Sequence, residues 1–357
     1  MLSIPRMLIG TLVFWGVISG MTANSSAENA TSGPRAVPRD TLPSVLDRTR
    51  IPAGLAEIRP VPTDNPLTAA RVALGRRLFF DPILSADRSV ACASCHLPRF
   101  AFASPDRVSV GIRGQRGIRN APSLLNVAYA APLFWDGRAP TLEQQALLPI
   151  QNPAELGSKL DAVVARLQAD AEYARDFSAA YGGPASRVSL ARALASFQRV
   201  LLSGNSPVDR FRASDSSALT TEQRQGLWLF ESKGRCWRCH SGRNFTDNRF
   251  HNTGVSWGRA PLDLGRFAVT HKQADRGRFK TPTLRNVALT APYMHDGSLP
   301  DLKQVVEFYN RGAGANEHLD PLLRPLNFSP QEVAQLVAFL GALTGAPLTE
   351  AGQPPSQ

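Results

Sequence analysis

The sequence predicts a mainly α-helical chain made of two halves on one plan. Three observations carry this. Apolar residues recur at the three-to-four spacing of helices, hardly any segment alternates as a half-buried strand does, and residues 121–137 return without a gap at 281–297. With 357 residues, 43% of them hydrophobic, the chain has room for two compact domains with cores of their own. Its 27 Gly and 28 Pro imply long irregular connections between helices. The net charge of +11 fits an acidic redox partner or an anionic surface as well as nucleic acid. Neither a basic run nor a recognition motif is present, which argues against nucleic acid.

Taken in chain order, residues 1–27 read as a secretory signal peptide. Arg6 lies in a charged start, an apolar stretch runs from Leu8 to Ile18, and Ser25, Ser26 and Ala27 form a small-residue exit. That stretch is shorter than the ~20 residues of a membrane span. The mature chain is therefore expected in the periplasm with no stable membrane insertion, an uncleaved anchor being the alternative. Residues 28–43 read as a flexible entry segment and 351–357 as a flexible tail. Helices are predicted over Leu67–Phe80, Thr141–Leu148, Leu160–Ala169, Ala171–Tyr181, Ser189–Leu202, Thr221–Glu231, Leu299–Tyr309 and Pro330–Thr344, with Thr141 and Asp301 as N-caps. Gly204, Asn205 and Pro207 punctuate a boundary segment at Ser203–Ser217, which divides domains at 44–204 and 205–350.

All four cysteines fall in two motifs, Cys92-Ala-Ser-Cys95-His96 and Cys236-Trp-Arg-Cys239-His240. Two thiols three residues apart reach the two vinyl groups of one porphyrin, and the histidine that follows falls under the iron as its ligand. Two such motifs that consume every cysteine of an exported chain argue against disulfides and structural zinc. The expectation is two covalent haem c groups, on Cys92, Cys95 and His96 and on Cys236, Cys239 and His240. Apart from His96, no histidine precedes the second motif, and Met294 is the only methionine beyond the leader. The first iron thus has an open face, as in haems that activate a ligand. In register, the repeat sets Trp135 against His295 and Phe134 against Met294, a divergence that suggests divided labour.

These residues resemble the bacterial di-haem cytochrome c peroxidase superfamily, in its MauG-like branch. The resemblance runs from Leu74-Gly-Arg-Arg-Leu-Phe-Phe-Asp-Pro82 through the last helix. Besides the two haem motifs, it is carried by Arg119-Asn-Ala-Pro-Ser-Leu-Leu-Asn126, Phe134-Trp-Asp-Gly-Arg138 and Ala291-Pro-Tyr-Met-His-Asp-Gly297. It implies two tandem class I cytochrome c-like domains, with peroxide reacting at the N-terminal haem and electrons handled by the C-terminal one. Glu155 matches the family's distal glutamate. Heterolysis of peroxide needs a base that takes a proton from the inner oxygen and returns it to the departing outer one, and a single carboxylate can do both. The other reading of Glu155 is a cap for a helix near Leu156–Asp161. Gln145 matches the distal glutamine that orients peroxide, and Pro149 shapes the pocket. Trp135 matches the aromatic residue between the haems and either carries an electron there or is a core tryptophan beside a turn. The resemblance also implies one calcium ion, held by the Asn120 side chain and the carbonyls of Thr290 and Pro292.

Three departures from the family pattern matter. Where some members close the resting peroxide site with a histidine, this chain has Ile112, which cannot bind iron, so the first haem is expected to accept peroxide in the di-ferric state. The methionine ligand of conventional peroxidases aligns with Tyr309, the MauG-like choice, whose phenolate favours oxidised iron. A core tyrosine, with Met294 or His295 as ligand instead, is the alternative. MauG's relay tryptophan, two residues before the second motif, is Gly234 here, and Trp237 is either a substitute relay or a haem-packing residue.

The expected function is a periplasmic peroxidase that reduces hydrogen peroxide with electrons from a small redox protein, a cytochrome c or a cupredoxin. Peroxide-dependent oxidation of a partner protein's side chain is the first alternative, and a di-haem electron carrier without catalysis the second. His251, His271 and His318 show no metal-ligand spacing and read as solvated or structural.

Overall fold

Thr68 opens the first helix among the described residues, α1 (Ala69–Phe80), its side chain accepting from the Arg71 N–H. The computed structural model describes residues 51–55 and 60–347. The expected signal peptide, entry segment and C-terminal tail lie outside the described residues. Thr141 caps α2 (Leu142–Gln151) by accepting from the Gln144 N–H. Then follow α3 (Leu160–Ala169), α4 (Ala171–Tyr181), capped by Asp170, and α5 (Arg187–Arg199), which opens on a Ser186/Ser189 capping box. The second half holds α6 (Pro207–Arg212), α7 (Thr221–Glu231), α8 (Leu302–Asn310), capped by Asp301, and α9 (Pro330–Gly341). Helices α3, α4 and α7 run over the predicted residues, and the protein is mainly helical as expected.

The boundary segment departs from expectation. Ser203–Ser217 contains β1 (Ser203–Gly204) and α6, whose start is made by a Ser206/Asp209 capping box with Pro207 in the first turn. The proline that reads as punctuation is tolerated there because an N–H at a helix start has no intrahelical partner to lose. Beyond this, β2 (Phe250–His251) pairs antiparallel with β3 (Phe279–Lys280), and β1 with β4 (Ala346–Pro347).

Each half is built on one helix crossing. Helix α1 lies against α5, and a Cβ added at Gly75 would stand 1.9 Å from the Ala193 carbonyl oxygen. Helix α7 lies against α9 in the same way, with Gly226 so close that a Cβ would stand 2.0 Å from the Gln335 carbonyl. One apolar cluster gathers Leu78, Phe79, Phe102, Phe177 and Phe197, and another gathers Phe230, Phe245, Phe328 and Phe339.

The repeated segment folds the same way twice. Asn126 and Asn286 take left-handed φ of 61° and 59° before the short turns Val127–Tyr129 and Val287–Leu289, a conformation asparagine tolerates. The Asn126 amide bonds both the N–H and the carbonyl of Ser203, while Asn286 Oδ1 accepts from the Gly345 N–H. The two turns are thereby tied to the β1–β4 ladder.

Candidate functional site

Both cysteine motifs open on one cavity of about 770 Å³, with Cys92, Cys95 and His96 on one wall and Cys236, Cys239 and His240 on another. His96 Nδ1 lies 2.9 Å from the Phe102 carbonyl oxygen and His240 Nδ1 lies 3.1 Å from that of Phe245. A carbonyl only accepts, so each Nδ1 carries the proton and each Nε2 keeps its lone pair for a metal. Burial pushes the Cys92 and Cys236 thiols up to about 12, and neither is a thiolate at neutral pH. All four cysteines are free. Two thiols and one imidazole with a free Nε2, twice over, fit covalent haem.

The wall facing the first motif comes from α2 and the loop after it. Pro149 sits inside α2, where it lacks the N–H that would bond the Gln145 carbonyl. The chain then folds back, with the Leu156 N–H donating to the Pro149 carbonyl and the Ser158 N–H to that of Ile150. Gln145, Pro149 and Glu155 thereby line the cavity together with His96. Glu155 does not cap a helix, since α3 begins only at Leu160. Asn152 Nδ2 donates to Glu155 Oε1 at 2.6 Å. Burial raises the Glu155 pKa, against the opposing effects of that hydrogen bond and the Arg138 charge. Ile112 is 3% exposed, pressed towards Gly157, and is not among the residues lining the cavity. Its N–H donates to the Glu155 carbonyl, and the neighbouring Gly111 lets the two strands meet, since a Cβ there would stand 2.2 Å from the Ala154 oxygen.

Trp135 lies where the two halves of the repeat touch. Its Nε1 donates to the Asn120 carbonyl at 2.9 Å, its carbonyl accepts from the Lys280 N–H, and its ring centroid is 6.5 Å from that of His295. His295 stacks on Phe279 at 3.5 Å, and burial lowers its pKa to about 4, which keeps it neutral. Asn120 Nδ2 donates to the Asp106 carbonyl, turning Oδ1 away as an acceptor, and Asn120, Thr290 and Pro292 share the cavity lining. Tyr309 and Met294 also line it. Burial drives the Tyr309 phenol well above its ordinary value, in a position where it senses Cys239 and Cys236.

Other polar groups of the cavity escape sequence reading. Lys280 Nζ donates to Asn248 Oδ1, and burial lowers its pKa to about 8. Arg119 pairs with Asp136 at 2.6 Å and with Asp263 at 2.7 Å. His251 is structural rather than solvated, clamped by Asp247 at 2.9 Å and Asp320 at 2.6 Å. With the Cys239 sulfur and these two carboxylates around it, its pKa rises to about 10. Cys239, Asp247 and His251 bring potential ligand atoms within 4.8 Å of one another, but that sulfur belongs to the haem motif. Apart from Asp247, four residues before His251, the partners of these groups come from distant segments, which no short spacing announces.

Comparison with known proteins agrees with this geometry. The family described as di-haem cytochrome c peroxidase matches residues 69–217. The chain is 38% identical to the methylamine utilization protein MauG of Methylorubrum extorquens over 97% of its own length and 96% of that protein's. It is 35% identical to the cytochrome-c peroxidase IdrP1 of a Pseudomonas species, over 80% of this chain and 83% of the relative. Among solved structures, a MauG-like protein associated with microbial copper homeostasis superposes with a TM-score of 0.80 at 33% identity, covering 86% of this chain and 99% of that one.

Proposed function

We propose, from the premise that the chain belongs to the di-haem cytochrome c peroxidase family and is a peroxidase-type oxidoreductase, that it reduces hydrogen peroxide on the His96 side of the cavity with electrons entering on the His240 side. The observation that carries this reading is Glu155, a buried carboxylate with raised pKa that shares the cavity with His96 and Gln145. When bound, the haem on each motif supplies iron chemistry, peroxide reduction at the first and one-electron relay at the second. Glu155 takes the proton from the inner peroxide oxygen at a carboxylate oxygen and returns it to the outer one, which leaves as water. The Gln145 amide orients the peroxide and Pro149 shapes the wall behind it. Ile112, turned out of the cavity, leaves the first site open to peroxide in the di-ferric state.

Trp135, between the halves, is the electron path from one side to the other. Tyr309 would be the residue that, with His240, holds the second haem and favours its oxidised iron, a reading supported by its buried place near Cys236 and Cys239. Asn120, Thr290 and Pro292, which share the cavity lining, would hold one calcium ion through the Asn120 side chain and the two carbonyls; chelation should then slow turnover, and added calcium restore it. The two apolar clusters and the paired glycine crossings support two tandem class I cytochrome c-like domains, 44–204 and 205–350, each with one haem c. The leader assigns the protein to the periplasm, with a small cytochrome c or cupredoxin as electron donor. Tyr309 also favours a second reading, MauG-like oxidation of a side chain on a partner protein.

The test is stopped-flow absorbance with EPR after mixing di-ferric holoprotein with one equivalent of hydrogen peroxide. Rapid spectral change with loss of the high-spin ferric signal is expected. A reaction that waits for one added electron would point to a reductively activated peroxidase, and inertness in both states to an electron carrier.

A further inference from the structure

We propose that the face around Trp237 docks a small acidic one-electron redox protein. The inference rests on the peroxidase reading of the same chain and names the chemistry of its donor. Trp237 lies between Cys236 and Cys239, yet it is 45% exposed. A surface groove of about 730 Å³ runs beside it, lined also by Arg212, Arg243, Phe245 and His240. A partner seated there comes within reach of the second haem motif. Arg238 beside the indole and Arg243 on the groove wall are both exposed and stand in no ion pair among the described residues. The Arg238 guanidinium lies 5.4 Å from the centre of the Trp237 ring.

The acidic groups at this groove are already engaged. Glu231 pairs with Arg212 at 3.4 Å, and Asp209 is buried against Arg285 at 2.8 Å. The free charge, on Arg238 and Arg243, is therefore positive, and an exposed aromatic flanked by arginines is the pattern of an interface centre with a steering rim. Each encounter oxidises the partner by one electron; two encounters, two protons and one hydrogen peroxide give two waters.

The experiment measures binding of the holoenzyme to two probes, an acidic cytochrome c and a basic mitochondrial-type cytochrome c, by titration calorimetry at low and high salt. The acidic probe should bind at low salt and weaken about tenfold or more at high salt, while the basic probe should not bind. Arg238→Glu/Arg243→Glu should weaken the acidic probe about tenfold or more. Trp237→Leu should weaken it severalfold and keep the salt dependence, and Arg175→Glu on the remote α4 should change nothing. No binding of the acidic probe, equal binding of the basic one, salt independence, or an equal loss with Arg175→Glu would each overturn the docking face. Peroxide turnover of the wild type with a small-molecule reductant runs in parallel. Failure there overturns the peroxidase reading, while the docking face is judged on the binding data.

Discussion

At the scale of the residue, Glu155 shows how burial retunes a carboxylate. Burial raises its pKa, so the proton-accepting form is lost as pH falls through a value above the ~4.3 of an ordinary glutamate. The acid limb of kcat/KM for peroxide should lie above that ordinary value, and Glu155→Gln should lower kcat by about 10²–10⁴-fold at unchanged haem content. A haemochrome assay beside the turnover measurement separates loss of the base from loss of the cofactor. Tyr309→Met should raise the midpoint potential of the second haem, because a thioether no longer favours the oxidised metal as a phenolate does. Potentiometric titration reads that shift directly. Glu155, Gln145 and Tyr309 could be singled out only through resemblance; nothing in their own spacing sets them apart. The two Cys-x-x-Cys-His motifs, by contrast, stand out as five consecutive residues each.

Among the elements, the helices were read well because their determinants are local. Caps such as Thr141 and Asp301 bond the N–H three residues on, within reach of the same short segment. The glycine crossings were not legible, since Gly75 and Gly226 mean nothing until α5 and α9 arrive beside them. Gly226→Ala should force α7 away from α9, with overpacking that costs about 1–3 kcal/mol. A melting temperature lowered by several degrees in the holoprotein checks this. Helix α6 was missed because Gly204, Asn205 and Pro207 read as breakers, whereas Pro207 begins the helix and Ser206 caps it.

For the whole molecule, buried ion pairs join segments far apart. Arg285 holds Asp209 with two bonds of 2.8 Å, their side chains 2% and 3% exposed. Burial alone would raise the Asp209 pKa, but the Arg285 bond and charge outweigh it and hold the carboxyl below its ordinary value. Asp263, against Arg119, is lowered in the same way. These contributions are present above the ordinary carboxylate pKa of about 3.9 and are lost as pH falls through the lower folded values. Thermal melts should therefore show stability dropping below about pH 4. Asp209→Asn should cost about 3–5 kcal/mol by leaving Arg285 buried without a counter-charge. The sequence by itself determined the helical class and the two Cys-x-x-Cys-His motifs, because these depend on periodicity or on residues a few positions apart, and the duplication, because an ungapped match needs only the order of residues. Only the tertiary structure decided that both motifs face one cavity, that Glu155 enters it while Ile112 turns away, and that Trp135 meets His295 at the junction. Those relations rest on segments distant in the chain packing against one another, and no local pattern records them.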